Sequence, residues 1–228
     1  MVTASLICGL RFIDSFFPSG GFAYSSGLEA AVQGGKVRTG ADLSQYVEDL
    51  LRNGMASREG VAVGVAWDAA RAAHLSSLVQ IDQELDSMKL GRESRLASRQ
   101  MGRQVLRIAK DTIACPAVFS QFWAKADAGE TPGHLPVALG LTLGVCGWTK
   151  GDAIAAYLYQ TAVGLVSAAM KLLPIGQREG QQLLESRLPD IVRLSQGACE
   201  ASAMRSWSPV QDIYAMRHSR LVSRLFRS

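Results

Sequence analysis

The sequence contains few of the residues that usually build metal sites and disulfides. Only four cysteines and three histidines occur among its 228 residues. The cysteines form no Cys-x-x-Cys pair, and no histidine lies close to a cysteine or another histidine in the sequence. We therefore predict free, mostly buried thiols in a reducing compartment, and no tightly held metal ion. The residues concerned are Cys8, Cys115, Cys146, Cys199, His74, His134 and His218.

Short motifs of the common enzyme classes are also missing. The chain has no G-x-x-x-x-G-K-[ST] phosphate loop, no G-x-G-x-x-G, no H-E-x-x-H and no G-x-S-x-G. We predict no catalytic residues, no cofactor and no GTP hydrolysis by the chain itself. The alternative is an all-helical small-molecule enzyme with an interior pocket. Its candidate acids and nucleophile would be Glu29, Asp82, Glu84, Asp86 and Cys146.

Strand signals are weak, whereas helical spacing of apolar residues recurs along the chain. Asp42 followed by Gln45 resembles a capping box at the start of one helix, and Thr149 predicts the cap of a longer one. Apolar residues then follow Asp42 at Leu43, Tyr46, Val47, Leu50 and Leu51. Further predicted helices are Val61–Leu75, Ala153–Leu173, Gln177–Cys199 and Pro209–Arg224. We predict one all-α domain, residues 1–228, of about eight to ten helices.

One uncharged stretch raises the question of a membrane. Ala153–Met170 carries no charged residue, and a bilayer is spanned by about 20 apolar residues. Its alanines and scattered polar groups instead favour a helix packed on all sides by protein. The N-terminal sequence also lacks the basic start of a signal peptide. We therefore expect a cytoplasmic protein without membrane contact.

A stripe of positive charge is the most distinctive pattern in the middle of the chain. At helical spacing its members share one face. The face is interpreted as solvated, as a docking surface for an acidic protein, or as a nucleic-acid contact. Nucleic acid is the weakest of these, because the net charge is only +4 and dedicated binding domains usually carry more. The cations are Arg92, Arg95, Arg99, Arg103, Arg107 and Lys110.

The C-terminal sequence MRHSRLVSRLFRS, residues 216–228, mixes basic and apolar residues and contains no acid. Such a segment is either a terminal helix docked on its own domain or a segment that becomes ordered against a partner. We predict the second for residues 215–228, with Leu225 and Phe226 as anchors and arginines at the rim. The arginines are Arg217, Arg220, Arg224 and Arg227.

A second candidate contact lies near the N-terminus, in Phe17–Glu29, FPSGGFAYSSGLE. Its proline and paired glycines predict a sharp bend before a helix start. The small residues would also allow another chain to approach the backbone closely. The aromatic residues Phe22 and Tyr24 are expected to be exposed in this loop, and Tyr24 is a predicted contact residue.

Five segments of the chain, taken in order, carry a resemblance to a known family. They are FPSGGFAYSSGLEAAV (17–32), LDSMKLGRESRLASRQMGRQVL (85–106), HLPVALGLTLGV (134–145), YLYQTAVGLVSAAMKLLPIGQREGQQLL (157–184) and SPVQDIYAMRHSRLVSRLFRS (208–228). Together they resemble the UreF family of urease accessory proteins. The resemblance extends from about Phe12 to Ser228, so residues 1–11 have no matched counterpart.

The resemblance implies an all-α homodimer that is not an enzyme. It implies binding to the accessory protein UreD/UreH, recruitment and modulation of the GTPase UreG, and nickel insertion into apo-urease, with the protein interior as a transit route. The segment Arg217–Arg227 matches the part that contacts UreD/UreH, and Glu29 and Lys171 fall near the expected GTPase-facing patch. The predicted partner-binding residues are Tyr24, Glu29, Lys171, Arg217, His218, Arg220, Arg224, Leu225, Phe226 and Arg227.

Overall fold

The computed structural model describes residues 3–227, and all the regular structure in that range is helical. The predicted all-α fold is therefore confirmed for the described part of the chain. A short 3₁₀ turn, Gly21–Ala23, precedes the second helix. The α-helices are α1 (Thr3–Ile13), α2 (Leu28–Gln33), α3 (Gly40–Leu50), α4 (Val61–Arg71), α5 (Leu75–Met88), α6 (Arg92–Thr112), α7 (Ala117–Asp127), α8 (Leu135–Val145), α9 (Lys150–Leu172), α10 (Gln177–Glu200) and α11 (Pro209–His218).

Helices α3 and α4 form one unbroken rod, because a π-helical segment, Leu51–Gly60, joins them. When that rod is counted once, residues 3–227 contain ten α-helical rods, at the upper end of the predicted range. π-Helical turns are rare, are usually a single turn long and often mark functional sites. Within this segment two consecutive charged residues, Arg58 and Glu59, are both buried in the protein interior.

The core is built around α8, which is apolar on every side. Nine of its 11 residues are buried, and it packs against α4, α6 and α9. Gly140 approaches α4 so closely that a Cβ at this position would collide with the carbonyl oxygen of Val63 and with Ala66. Glycine is therefore required where the two helices cross.

Helix α9 is long and apolar enough to cross a membrane by length and composition alone. Half of its most apolar 18-residue window is nevertheless buried inside the protein. Helices α4, α8 and α10 pack along it. This burial is typical of the core helix of a globular protein, as predicted for Ala153–Met170.

One predicted helix cap is confirmed and one is wrong. The hydroxyl oxygen of Thr149 accepts the backbone N–H of Asp152 at 3.1 Å and so caps α9. At α3 the capping box consists of Thr39 and Asp42, not of Asp42 and Gln45. The box begins earlier because Thr39 has the extended backbone conformation that an N-cap residue adopts.

The predicted basic stripe lies on α6, but its middle is already engaged within the protein. Its three central arginines donate hydrogen bonds to neighbouring turns and to a carboxylate, while Arg92, Arg107 and Lys110 are exposed. The central contacts are Arg95 Nη1 to Lys89 O (3.2 Å), Arg99 Nη2 to Asp86 Oδ1 (2.6 Å) and Arg103 Nε to Pro132 O (3.0 Å). The centre of the stripe therefore helps to hold the fold together, and its two ends are its most exposed parts.

All four cysteines are free thiols, as predicted. Only Cys146 is buried and the other three are partly exposed, so the prediction of mostly buried thiols is wrong for three of the four. The Sγ atoms of Cys8 and Cys146 are 3.0 Å apart and link α1 to the end of α8 through a thiol contact. Burial, reinforced by this contact, raises the pKa of the Cys146 thiol well above its usual range.

Candidate partner-binding site

The C-terminal segment folds back on the body of the protein. Helix α11 ends at His218, before the predicted end at Arg224, and residues 219–227 follow without helical structure. The predicted helix Pro209–Arg224 is therefore wrong beyond His218. The physical reason is that acceptors on the body of the protein take the backbone N–H groups near the end of the chain.

Glu29, in the first turn of α2, is the centre of this contact and is only 2% exposed. Its Oε1 accepts the N–H of Leu225 at 2.6 Å, and its Oε2 accepts the N–H of Phe226 at 3.1 Å. Burial alone would raise the pKa of Glu29. The two N–H donors and His218 outweigh that effect and lower the pKa below its ordinary value of 4.5. The carboxylate therefore stays ionised and holds the tail.

His218 is fully buried between two carboxylates. Its Nε2 lies 2.9 Å from Oε2 of Glu29, and its Nδ1 lies 2.8 Å from Oε2 of Glu93. Both neighbours are carboxylate oxygens, which accept hydrogen bonds. The resulting Glu–His–Glu bridge joins α2, α11 and α6.

Two residues that were not predicted from the sequence, Glu93 and Gln33, complete the attachment of the tail. Glu93 also accepts Arg224 Nη1 at 3.0 Å, and Gln33 donates its Nε2–H to the carbonyl of Ser223 at 3.0 Å. Glu93 lies in the first turn of α6, a helix rich in arginine. An acid is favoured at the N-terminus of a helix, and this position is the feature of the sequence that indicates Glu93 as a contact residue. Nothing in the sequence around Gln33 indicates its contact.

Lys171 and Phe226 come together on the same side of the molecule. Lys171 lies in the last turn of α9, and its Nζ is 5.4 Å from the centre of the Phe226 ring. Phe226 is only 6% exposed. In this structure it anchors the tail on its own chain, whereas Lys171 remains exposed.

Tyr24 lies beside the tail, with its side chain partly buried. Its hydroxyl donates to Oε1 of Gln100 at 3.0 Å, and the neighbouring Ala23 carbonyl accepts the N–H of Arg227 at 2.8 Å. The loop predicted to meet another chain therefore meets the C-terminus of the same chain.

The outer surface of the tail is basic and apolar. Val222 is fully exposed and Leu225 is 62% exposed. Arg217, Arg220 and Arg227 are also exposed, as is much of the Arg224 side chain. A surface of this kind can bury apolar side chains against a partner while its guanidinium groups pair with carboxylates at the rim.

A cavity of about 620 Å³ adjoins the tail. Tyr24, Lys171 and Ala215 form part of its wall, and Arg58 and Glu59 form another part. Its size is within the range of small-molecule pockets. Among residues 3–227, no three His, Cys, Asp or Glu side chains come close enough together to hold a metal ion.

Comparison with known proteins supports the resemblance to the UreF family that the five sequence segments carry. The UreF family model matches residues 37–187. Urease accessory protein UreF of Actinobacillus pleuropneumoniae serotype 3 is 30% identical over 221 residues, covering 96% of this chain and 97% of the relative. The proteins of the same name from Haemophilus influenzae strain PittGG and Methylorubrum populi are each 31% identical, covering 96% of this chain and 94% and 97% of their own lengths.

The chain belongs to the UreF family. The family model spans Lys171 but not Glu29 or the C-terminal tail. The pairwise matches extend over nearly the whole chain. The chain that contains the Glu29–tail contact is therefore similar to UreF proteins over 96% of its length.

The residues predicted for the alternative function, an all-helical enzyme with an interior pocket, do not line the 620 Å³ cavity. Asp82 is buried and accepts the N–H groups of Gly133 and His134 at 2.6 and 2.8 Å, so it fastens the turn before α8. Asp86 pairs with Arg99. The wall of the 620 Å³ cavity contains none of Glu29, Asp82, Glu84, Asp86 and Cys146.

Proposed function

We propose that this UreF-family protein is a non-enzymatic cytoplasmic scaffold for urease maturation. In this proposal it binds UreD/UreH, recruits and modulates the GTPase UreG, and acts as a homodimer in the insertion of nickel into apo-urease. The observation that supports it best is the full-length similarity to proteins named urease accessory protein UreF. The basic, apolar tail supplies a surface suited to a protein partner.

The outer face of the tail is our proposed contact with UreD/UreH. Leu225 and Val222 are exposed there although they are apolar, and exposed apolar groups next to cations are suited to an interface with an acidic rim. Phe226 and His218 are buried and serve this contact indirectly, because they fix the position of the exposed residues. The proposed interface residues are Arg217, Arg220, Arg224, Leu225 and Arg227.

Glu29 and Lys171 have different roles in the proposed GTPase-facing patch. Glu29 is buried under the tail, so it can act only by holding Leu225 and Phe226 in place. Lys171 is exposed and can touch a partner directly. Tyr24, partly exposed on the neighbouring loop, is the third member of this patch.

The test is co-purification of the chain with UreD/UreH and UreG, with and without GTP, together with urease activation in cells. Leu225→Asp should abolish co-purification with UreD/UreH while leaving the fold intact, because Leu225 is 62% exposed and a charge there disrupts only an apolar contact. Leu188→Asp on α10 is the matched control, since Leu188 is also exposed, at 44%. Wild-type co-purification by Leu225→Asp would place the interface elsewhere.

A further inference from the structure

Trp148, which follows the end of α8, fixes the position of α1 on the body of the protein. Its indole Nε1 donates a hydrogen bond to the Ser5 carbonyl at 2.8 Å. Gly9 lies so close to the same ring that a Cβ at this position would collide with it. Only glycine permits this approach. The turn of α1 between Ser5 and Gly9 is therefore held against the end of α8.

This position of α1 brings two thiols together. Cys8 lies in the held turn, Cys146 directly follows α8, and their Sγ atoms are 3.0 Å apart although 138 residues separate them in the sequence. One thiol donates weakly and the other accepts in such a contact. A disulfide bond is about 2.05 Å long, so the two sulfur atoms need to approach by only about 1 Å to form one.

The two thiols differ in exposure. Cys8 is partly exposed, whereas Cys146 is buried, so Cys8 is the thiol that a dissolved oxidant meets first. Burial raises the pKa of the Cys146 thiol well above its usual range. Because the thiolate is the reactive form of cysteine, Cys146 is suited to react second, with an already oxidised Cys8.

We propose that Cys8 and Cys146 form a reversible oxidation site whose oxidant is hydrogen peroxide. The Cys8 sulfur attacks one peroxide oxygen. An S–O bond forms, the O–O bond breaks, and the leaving hydroxide takes the thiol proton and departs as water. The Cys146 sulfur then attacks the Cys8 sulfur of this sulfenic acid. The S–S bond forms, the S–O bond breaks, and the Cys146 proton leaves with the hydroxide as a second water.

The disulfide would fasten α1 to the end of α8 by a covalent bond. Leu10 and Ile13 of α1 belong to the wall of the 620 Å³ cavity, so oxidation would also fix that wall. In a reducing compartment such bonds are usually transient and sense the redox state. The site is distinct from the C-terminal tail and does not depend on the proposed role in urease maturation.

Thiol counting after treatment with hydrogen peroxide tests the site in the purified full-length chain. The chain is oxidised while folded, then denatured, alkylated and weighed by mass spectrometry. The number of alkylated thiols should fall from four to two, a linked peptide pair should contain Cys8 and Cys146, and dithiothreitol should restore all four.

Two variants identify the pair. Cys8→Ser should keep all three of its thiols. Cys115→Ser is the matched control and should fall from three alkylated thiols to one. Cys115 is the critical competitor, because it acts on Cys146 through space, although its Sγ donates to the Ala109 carbonyl at 3.8 Å. A linked Cys115–Cys146 peptide would overturn the assignment. So would four alkylated thiols in the wild type after an incubation that fully oxidises free cysteine.

Gly9→Ala tests whether the docked α1 positions the thiols. The added Cβ pushes α1 away from Trp148, so the rate of disulfide formation should fall by about tenfold or more. Gly197→Ala is the matched control, since a Cβ there meets no atom within 4 Å, and it should react at the wild-type rate. Equal rates in Gly9→Ala and the wild type would refute this positioning. If Gly9→Ala does not fold, the wild type and Cys8→Ser decide.

The melting temperature of the wild type tests the effect on α1. Oxidation should raise it by about 4 °C or more, because the new bond closes a long loop, and dithiothreitol should reverse the rise. The same treatment should leave the melting temperature of Cys8→Ser unchanged. Equal melting temperatures for the oxidised and reduced wild type would overturn the proposed fastening of α1.

Discussion

Two buried glutamates, Glu29 and Glu59, differ in the groups that bind their carboxylates. Both are only 2% exposed, and both have a lowered pKa because donors surround the carboxylate. Glu59 is bound by the side chains of Lys89, Tyr157 and Arg58, which come from the core of the helical body. Glu29 is bound largely by backbone N–H groups of a terminal segment.

The difference shows which part of this fold can open without unfolding the rest. Removing the Glu59 carboxylate leaves two cations buried in the core, so the damage must be global. Removing the Glu29 carboxylate releases a segment at the end of the chain, where opening is local. The contacts of Glu59 therefore hold the domain together, and those of Glu29 control whether the tail is docked.

The largest expected effect is that of Glu59→Gln. It should lower the free energy of unfolding by about 3–5 kcal/mol, because Lys89 and Arg58 lose the charge that compensates them. Urea denaturation measures this loss. Glu48→Gln is the control, since Glu48 pairs with Arg52 and Arg187 near the surface, and should cost below about 1 kcal/mol. Similar small losses in both variants would remove the distinction drawn for Glu59.

Truncation after Tyr214 should have the next largest effect. A segment that became ordered only against a partner would leave thermal stability almost unchanged when removed, but His218 and Phe226 are buried on the body of the protein. We now expect a loss of about 2–4 kcal/mol, since burial of one large apolar side chain is worth about 1.5–3 kcal/mol. Co-purification with UreD/UreH should also disappear. Unchanged stability would show that the tail is not docked in solution, and retained co-purification would show that the interface lies elsewhere.

Acid should release the tail through Glu29. A carboxyl whose pKa is lowered in the folded state stabilises that state fully above its ordinary pKa of 4.5. The stabilisation is lost as the pH falls through the folded value. The protection of the Leu225 and Phe226 amides against hydrogen exchange, after correction for the intrinsic pH dependence, should therefore decrease as the pH falls below about 4.5.

The variant Glu29→Gln tests the origin of that pH dependence. It should show rapid exchange at both amides already at neutral pH and little further change on acidification. The amides of the core helices should respond less over the same range, because the pKa of Glu59 is lowered to about 2. Equal acid sensitivity of tail and core would contradict the separation of the two regions.

The helical body could be predicted from the sequence far better than the tail. Apolar residues recurring at three and four positions, as from Leu43 to Leu51, reflect local geometry that is present wherever a helix packs on a core. The tail has similar spacing, yet its helix ends at His218. A carboxylate distant in the sequence, Glu29, captures its backbone, and local periodicity carries no information about such a contact.

The buried contacts of Arg58 and Glu59 could not be predicted from the sequence for a related reason. Arg58 and Glu59 are adjacent in the sequence, and adjacent residues of a regular α-helix point about 100° apart. Both are buried because α9 and α10 pack against the Leu51–Gly60 segment. Their partners Lys89 and Tyr157 come from distant elements, so no spacing rule connects them.

The smallest expected effect on stability is that of Lys171→Ala, which tests whether the tail region has a function beyond its own stability. The Lys171 ammonium lies 5.4 Å from the Phe226 ring centre and is exposed, so its contact is worth about 0.5–1 kcal/mol. The melting temperature should therefore fall by only about 1–4 °C. If Lys171 also meets the GTPase, urease activation should fall much more than this small loss explains.

Lys125→Ala is the matched control for Lys171→Ala. Lys125 is also a lysine near the end of a helix, and its pair with Glu130 is largely exposed. It should lose little stability and no activation. A second variant, Lys171→Arg, keeps the cation over the ring and should restore activation if charge at this position is what the partner recognises. Wild-type activation by Lys171→Ala would leave Lys171 with only its stabilising contacts to α9 and Phe226.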